Sequence, residues 1–574
     1  MAKIVARTEL TDLDISGEPL LQRLYRQRGV GELAELDYSL KSLPDPQQLL
    51  GIEAAVARLQ QALKTRESVL IVGDFDADGA TSCALMVLAL QSLGASVDFI
   101  VPDRFTLGYG LSPAIVDIVA EQHRPDLIIT VDNGIASVDG VRRAAAHNID
   151  VIITDHHLPG AERPAAVAIV NPNQPGCHFP SKAIAGVGVA FYLLLALRSK
   201  LREEGFFSER AEPNFAHWLD LVALGSVADV VPLDKLNRTL IHQGIERIRA
   251  GRCRPGILAL LQLAGRDHTQ LQASDLGFTV GPRLNAAGRL DNMTVGIDCL
   301  LAESPEHAHS LAAELDALNR ERRTIEQGMQ NEALADLDAE WQALDGAPLP
   351  ALLVLYRPEW HEGVVGLLAS RIKERYHRPT VVFTDSESGD LKGSARSIDG
   401  LHIRDLLDQL ANSEPGLIEK FGGHAMAAGL TLPAGQLDRF RAAVVALATK
   451  KLSDEQLQAK KFSDGPLAVE ELSLACAEKL RRAGPWGQQF PAPQFDGLFR
   501  VVAQRIVGER HIKLTLKVAA HAASIDAIWF NVPSQWLTEP LPEFVELLYR
   551  LDINHFRGRS SLQLMVEQLE PSTG

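Results

Sequence analysis

Three aspartates alternate in the segment GDFDADG, residues 73–79: Asp74, Asp76 and Asp78. Alternate residues of an extended chain point the same way, so the three carboxylates face one side of a strand end. Like charges held this close repel, and a multivalent cation relieves the cost. The run D-x-D-x-D-G also opens an EF-hand calcium loop, but that loop requires Glu at its twelfth position. That position is Leu85, and an apolar strand rather than a helix precedes the run, so the EF-hand reading is rejected. Three further segments carry the same chemistry: Asp132 in VDNG, the triplet Asp155, His156 and His157, and Asp229 in SVAD. Taken singly, an Asp after a strand is usually a helix N-cap, and a His pair is more often structural than catalytic. Four such segments together are a cluster of titratable groups that marks a site. Hard carboxylate oxygens with imidazole suit Mn²⁺ or Mg²⁺ rather than thiolate-loving metals. Two ions roughly 3.5–4 Å apart clamp the attacking and leaving oxygens of a phosphoryl displacement and make hydroxide available near neutral pH. The chemistry indicated is phosphoester hydrolysis.

These groups need a frame. Segments Ser68–Val72, Val97–Val101, Leu127–Val131 and Val151–Thr154 are short, apolar on both faces and bounded by Gly, Pro or Asp. Alternating with helical runs, they predict a parallel sheet covered by helices. Ligands of such sheets bind beyond the carboxyl ends of the strands, which is where Asp74–Asp78, Asp132 and Asp155–His157 fall. Asp229 follows a helical run from Phe215 to Gly225. Residues 1–60 read as helical, interrupted near Pro44 and Pro46. From Pro305 to about Trp341, Leu311, Leu315, Leu318, Ile325, Met329, Ala333 and Leu337 recur at helical spacing, which predicts one face of a long connecting helix. Without sustained heptads it is not a coiled coil.

A second α/β region runs from about Leu349 to Thr449, with strands Ala351–Tyr356 and Thr380–Thr384. A charged linker, KKLSDEQLQAKKFSDG, leads to Val501–Val507, His511–Val518, Ile525–Val532 and Val545–Asn554. Their alternation, and the turns at Gly508–Arg510 and Arg557–Gly558, predict a small antiparallel barrel of the OB type. The expected architecture is multidomain α/β. It comprises an N-terminal helical segment (1–60), a parallel-sheet catalytic domain (61–304), a connecting helix (305–345), a second α/β domain (346–452) and a C-terminal β-barrel (462–574).

The 574 residues suffice for three or four domains. The net charge of −16 argues against broad coating of a duplex, though it leaves room for a local basic groove. The five cysteines form no C-x-x-C pair, so neither a zinc ribbon nor a dithiol redox site is indicated. Scattered thiols suit a reducing cytosol. The N-terminus has no signal pattern, and the longest apolar stretch, Val187–Leu197, is too short to span a bilayer. A cytoplasmic protein without membrane contact is expected.

Phosphate-gripping candidates lie elsewhere. Arg104 stands near Phe105 and Tyr109, and Arg283 and Arg289 flank Asn285. Ser394, Arg396 and His424 fall in Gly-rich loops, where backbone N–H groups can approach an anion. For any one Arg the plain alternative is a solvated surface charge. Trp360, Phe421 and Trp486 could stack on bases, but core packing is the better reading because aromatic rings bury large areas.

In order, the segments at Asp74, Asp132, Asp155 and Asp229 resemble the four motifs of the DHH phosphoesterases. The run GPRLNAAGR from Gly281 to Arg289 is similar to the motif that closes the first domain of the RecJ-type exonucleases. HEGVVG from His361, GSAR from Gly393 and GGHAMAAG from Gly422 resemble the DHH-associated second domain (DHHA1). GPWGQQF from Gly484 resembles the entry to the family's OB-fold. The resemblance implies 5′→3′ hydrolysis of single-stranded DNA to mononucleotides with Mn²⁺ or Mg²⁺, in DNA repair and recombination. It implies Asp76, Asp78, Asp132, His156 and Asp229 as metal ligands, with Asp132 bridging two ions. It places His157 against the scissile phosphate or behind a ligand, and Asp74 behind the ligands, holding the loop. It implies Ser394 and Arg396 as the grip on a 5′-phosphate. As partners it implies single-strand-binding protein and a RecQ-type helicase, with the chain itself a monomer. The wider family often has His where this chain has Val72, so one ion is expected to bind weakly or only with substrate. Two other readings stand beside this one: a DHH phosphatase or nanoRNase acting on small phosphoanhydrides or short oligonucleotides, and a catalytically silent nucleic-acid scaffold. The complete set of acidic motifs argues against the scaffold.

Overall fold

The computed structural model describes residues 2–102, 110–343, 349–386, 389–518, 524–533 and 535–573. Contacts divide the chain into two compact units. One joins Ile4–Asp316 with Phe462–Gly574, and the other joins Met1–Lys3 with Ala317–Lys461.

In the larger unit, five parallel strands form a sheet in the order Ser96–Ile100, Ser68–Val72, Leu127–Val131, Asp150–Thr154, Ala168–Val170. After Ser68–Val72 the chain adds Ser96–Ile100 on one side, then crosses back to add Leu127–Val131 on the other. The strand order therefore reverses at Ser68–Val72, and a crevice opens beyond the carboxyl ends of the two strands that diverge there. Ser96–Ile100 is not apolar on both faces as expected. It is an edge strand with one neighbour, and Ser96 and Asp98 are exposed. The fifth strand, three residues long, was too short to show a pattern. Leu70, Val72, Ile128 and Ile153 pack against Ile115, Val116 and Val141 in the core. Helix Ala77–Ser92 is buried along almost its whole length, which its small residues Ala77, Gly79, Ala80 and Ala84 permit.

The first 60 residues are helical only at Pro19–Arg26 and from Ile52, where a helix runs to Thr65. They open with a strand, Lys3–Ala6, and pass through 3₁₀ turns at Leu33–Leu36, Leu40–Ser42 and Pro46–Gln48. Prolines lack the N–H that a continuous helix needs. Leu20 and Leu24 enter the core of the C-terminal barrel.

That barrel is closed, in the ring order Phe495–Val507, His511–Lys517, Ile525–Trp529, Arg559–Ser572, Phe544–Phe556. All neighbours are antiparallel except Ile525–Trp529 with Arg559–Ser572. This is the five-stranded OB arrangement, completed by a last strand that the sequence reading lacked. Ile512, Leu514 and Leu516 point inward at every second position.

The smaller unit holds a mixed sheet in the order Lys420–Gly423, Ala427–Leu432, Leu391–Arg396, Thr380–Asp385, Leu353–Tyr356, with only the last pair parallel. One helix, Pro305–Ala343, begins in the larger unit and ends in the smaller. Met329, Ala333 and Leu337 pack as expected, with Leu353, Leu355 and Leu368. Between Leu315 and Met329, however, its buried face is polar: Asp316, Asn319, Arg322 and Glu326. Trp360 is buried and donates to Glu332, Phe421 packs on a core, and Trp486 stacks on Tyr25 and Phe490. Packing thus accounts for all three aromatics.

Candidate metal centre

The segment after Ser68–Val72 turns directly into helix Ala77–Ser92. Asp76 is the N-cap, and its Oδ1 accepts from the N–H groups of Asp78 (2.9 Å) and Gly79 (3.1 Å). One carboxylate oxygen of Asp76 is thereby spent on folding, and the other is left for a ligand. Asp78 is buried on the first turn. Its oxygens accept from Gly186 N (2.6 Å) and Val187 N (2.9 Å), the start of helix Gly186–Glu203. A carboxylate offers about four lone-pair sites, so both aspartates can anchor a helix and still bind an ion. Asn285 Oδ1 accepts from Ala77 N (2.7 Å). A Cβ at Gly288 would overlap the carbonyl oxygen of Phe75, so the acid loop rests on the backbone of helix Gly281–Leu290.

Asp132 follows Leu127–Val131 in a left-handed conformation, φ 62°. The carboxylate is buried, and a side chain at Gly186 would put its Cβ 2.6 Å from Asp132 Oδ1, so only glycine lets the helix start so near. His156, after the neighbouring strand, places Nε2 3.1 Å from Asp132 Oδ1, 3.6 Å from Asp229 Oδ2 and 4.0 Å from Asp78 Oδ2. His157 turns the other way, with Nδ1 2.8 Å from Asp155 Oδ1. Asp155 was not among the predicted site residues. It is buried and also accepts from Ile135, His156 and His157 backbone N–H groups.

The ligand atoms form three groups, each within 4.8 Å: Asp74, Asp76 and Asp132; Asp132, His156 and His157; Asp78, His156 and Asp229. Asp132 belongs to two of them. Burial, followed by the mutual repulsion of these aspartates, raises Asp78 to about 7 and lifts Asp132 and Asp229 well above the usual carboxylate range. Asp155 moves the other way. Burial alone would raise it, but the hydrogen bond and charge of His157 hold it below its ordinary value. Burial likewise disfavours the His157 imidazolium, yet Asp155, helped by Asp229 and Asp74, raises His157 to about 9. Mutually repelling carboxylates, several of them buried, with the imidazoles of His156 and His157 beside them are a donor set that fits hard divalent cations.

The structure brings together Asp74, Asp76, Asp78, Asp132, His156, His157 and Asp229. Asp74 stands within the ligand group rather than behind it, while Val72 is buried in the apolar core. Asn285 is half-buried and holds the acid loop through its Oδ1. Arg283 is a correction: its buried guanidinium bonds Asp316 Oδ1 (2.9 Å) and Thr279 O (2.7 Å), so it is committed to helix packing. Arg289 is half-buried on the same helix, and Arg104 lies outside the described residues. In the smaller unit, Ser394 and Arg396 sit on strand Leu391–Arg396 rather than in a loop, and His424 sits in the turn after Lys420–Gly423. Arg396 Nη1 donates to Ser394 Oγ (3.1 Å) and Ala395 O (2.9 Å). A Cβ at Gly366, at the start of helix Val365–Tyr376, would lie 3.0 Å from both Arg396 Nη2 and Ser394 Oγ. Burial lowers the Arg396 pKa, and among the described residues no carboxylate pairs with it.

Three family models match: the DHH family N-terminal domain over residues 68–226, the DHHA1 domain over 350–450 and the RecJ OB domain over 463–568. The chain is 55% identical over 569 residues to the single-stranded-DNA-specific exonuclease RecJ of Dickeya dadantii, covering 99% of this chain and 98% of that one. It is 54% identical over 566 residues to the Escherichia coli protein of the same name, covering 98% of each. The crystal structure of Thermus thermophilus RecJ in complex with Mn²⁺ superposes with a TM-score of 0.80 at 28% identity, covering 100% of this chain and 80% of that one. A structure of the same protein with Mg²⁺ gives 0.74 at 26% identity, covering 100% and 78%.

Proposed function

The chain belongs to the RecJ family of DHH proteins, and from that premise we propose that it is a metal-dependent exonuclease that hydrolyses single-stranded DNA from the 5′ end to 5′-mononucleotides. The observation that carries this reading is the trio of ligand groups, two of them joined through Asp132, at the switch point of a parallel sheet. The OB barrel on the same chain adds a fold that binds single strands. It weighs against the smaller-substrate phosphatase or nanoRNase.

Asp74, Asp76 and Asp132 are assigned to one ion and Asp132, His156, Asp229 and Asp78 to the other, each Mn²⁺ or Mg²⁺. Ions there supply Lewis-acid stabilisation of charge on the phosphoryl oxygens. The first group has no imidazole, since Val72 points into the core, and its ion is the weaker one. His157, with Nδ1 bonded to Asp155, keeps Nε2 for the anionic phosphodiester. In the smaller unit, Arg396, Ser394 and the helix start at Gly366 make an anion grip, and among the described residues no carboxylate pairs with it. We assign it, with His424, to the 5′-phosphate, and Arg104 and Arg289 to the strand's other phosphates. A cytoplasmic monomer working with single-strand-binding protein and a RecQ-type helicase in DNA repair and recombination completes the reading. Among the described residues no helix is long and apolar enough to cross a membrane.

The test is digestion of one single strand labelled at either end, with Mn²⁺ or with chelator. The expected result is early release of the 5′ label, abolished by chelator. Early release of the 3′ label, or cleavage in chelator, would overturn it.

A further inference from the structure

The two histidines beside the acid cluster are held by more than their own triplet. Their N–H groups both donate to Asp155 Oδ1, at 2.7 Å from His156 and 3.0 Å from His157. Their carbonyls are held from the opposite side by two asparagines. Asn173 Nδ2 donates to His156 O (2.6 Å) and Asn171 Nδ2 to His157 O (2.9 Å). Both asparagines come from the turn Asn171-Pro172-Asn173, directly after the short fifth strand Ala168–Val170. Asn171 is fully buried, and its Oδ1 accepts from Asn173 N (2.7 Å), which locks the turn on itself. Lys182 Nζ braces it by donating to Pro172 O (2.6 Å) and Cys177 O (2.9 Å). Both N–H groups and both carbonyls of the His156–His157 pair are thus bonded by side chains. A segment that leaves its sheet must find such partners elsewhere.

We propose that Asn171 and Asn173 are positioning residues for the metal centre: they fix the backbone of His156 and His157 so that His156 Nε2 faces Asp132, Asp229 and Asp78. The inference rests on reading His156 as a metal ligand. A peptide free to rotate at either His carbonyl would swing the imidazole by ångströms, whereas a useful ligand must be held within roughly 0.5 Å. Outer partners that orient a ligating His typically contribute roughly 10–100-fold to metal affinity. The chemistry requires an amide. The donor Nδ2 grips the carbonyl and, in Asn171, the acceptor Oδ1 grips the next residue. Aspartate would present an oxygen to a carbonyl oxygen, and serine would fall short.

The experiment uses the full-length protein with Asn173→Ala, Asn171→Asp and, as a control in the same loop, Gln174→Ala. Gln174 Nε2 bonds Ile169 O and Asn171 O and touches neither histidine. Mn²⁺ affinity is measured by calorimetry, and thermal stability is measured in chelator. Asn173→Ala and Asn171→Asp are expected to bind Mn²⁺ roughly 10–100-fold more weakly, with KM for single-stranded DNA little changed. Gln174→Ala is expected to lower thermal stability while keeping wild-type Mn²⁺ affinity. If the asparagine variants melt early in chelator but keep Mn²⁺ affinity within twofold of wild type, the turn is merely structural and the proposal fails. If Gln174→Ala loses affinity as they do, the effect belongs to the loop as a whole and the proposal fails too. Wild-type cleavage of single strands is untouched by either outcome, so the functional reading is tested separately.

Discussion

His156 Nε2 lies 3.1 Å from Asp132 Oδ1, although the two residues leave different strands of the parallel sheet. That separation ties the imidazole of one motif to the carboxylate shared by two ligand groups.

Replacing Asp132 should therefore damage both ion positions at once. Asp132→Asn keeps the shape and removes the charge. It is expected to cut cleavage of single-stranded DNA by far more than the roughly 10–100-fold typical of an outer-shell change. Steady-state rates in saturating Mn²⁺ check this, and a variant within tenfold of wild type would remove Asp132 from the bridging role.

Metal binding should release protons. Asp78 is raised to about 7, and Asp132 and Asp229 lie well above the usual range. A carboxyl raised by folding favours the folded state below its unfolded value of 3.8, and that advantage is lost as pH rises through the folded value. Chelated protein should accordingly lose thermal stability as pH climbs toward and through about 7. Protein saturated with Mn²⁺ should not, because the ion replaces the protons. Calorimetry in two buffers of different ionisation enthalpy should register proton release at pH 7. Identical heats in both would contradict the shared-proton picture.

Arg283 tests the reassignment to packing. Removing one member of a buried ion pair leaves the other charge stranded, at a cost of about 3–5 kcal/mol. Arg283→Ala should thus lower the thermal transition of the larger unit, and Arg283→Met with Asp316→Leu should recover much of the loss. If Arg283→Ala melts normally but binds single strands poorly, Arg283 belongs to the substrate after all.

Arg396→Ala should leave stability nearly unchanged and weaken recognition of a 5′-phosphate. A hydrogen bond to a charged group contributes about 1.5–3 kcal/mol. Preference for 5′-phosphorylated over 5′-hydroxyl strands should therefore fall by roughly 10–150-fold, read as the ratio of kcat/KM values.

The acid cluster was legible because its chemistry is written in residue type: aspartates at strand ends stay at strand ends when the sheet forms. Asp155 was harder to see, since it is an acid of the same motif that turns inward to serve His157. Arg283 misled because its partner, Asp316, lies 33 residues on and nothing local announces it. Val72 could be read as a missing ligand, but that Asp74 joins the ligand group depends on how the loop rests on Gly288. The strand Ala168–Val170 is too short to show alternation, so the asparagines behind it were invisible too. In the barrel, Arg559–Ser572 begins with Arg559, Ser560 and Ser561 and carries Pro571 next to its end, a pattern that the closed ring tolerates but that breaks the alternation of an ordinary strand.

Whether Asp132 joins two metal ions is tested most directly by anomalous scattering from crystals soaked in Mn²⁺. Two peaks are expected within coordination distance of Asp132, one also reached by Asp74 and Asp76 and the other by His156 and Asp229. Full Mn²⁺ occupancy elsewhere with no peak beside Asp132 would contradict the bridging role of Asp132.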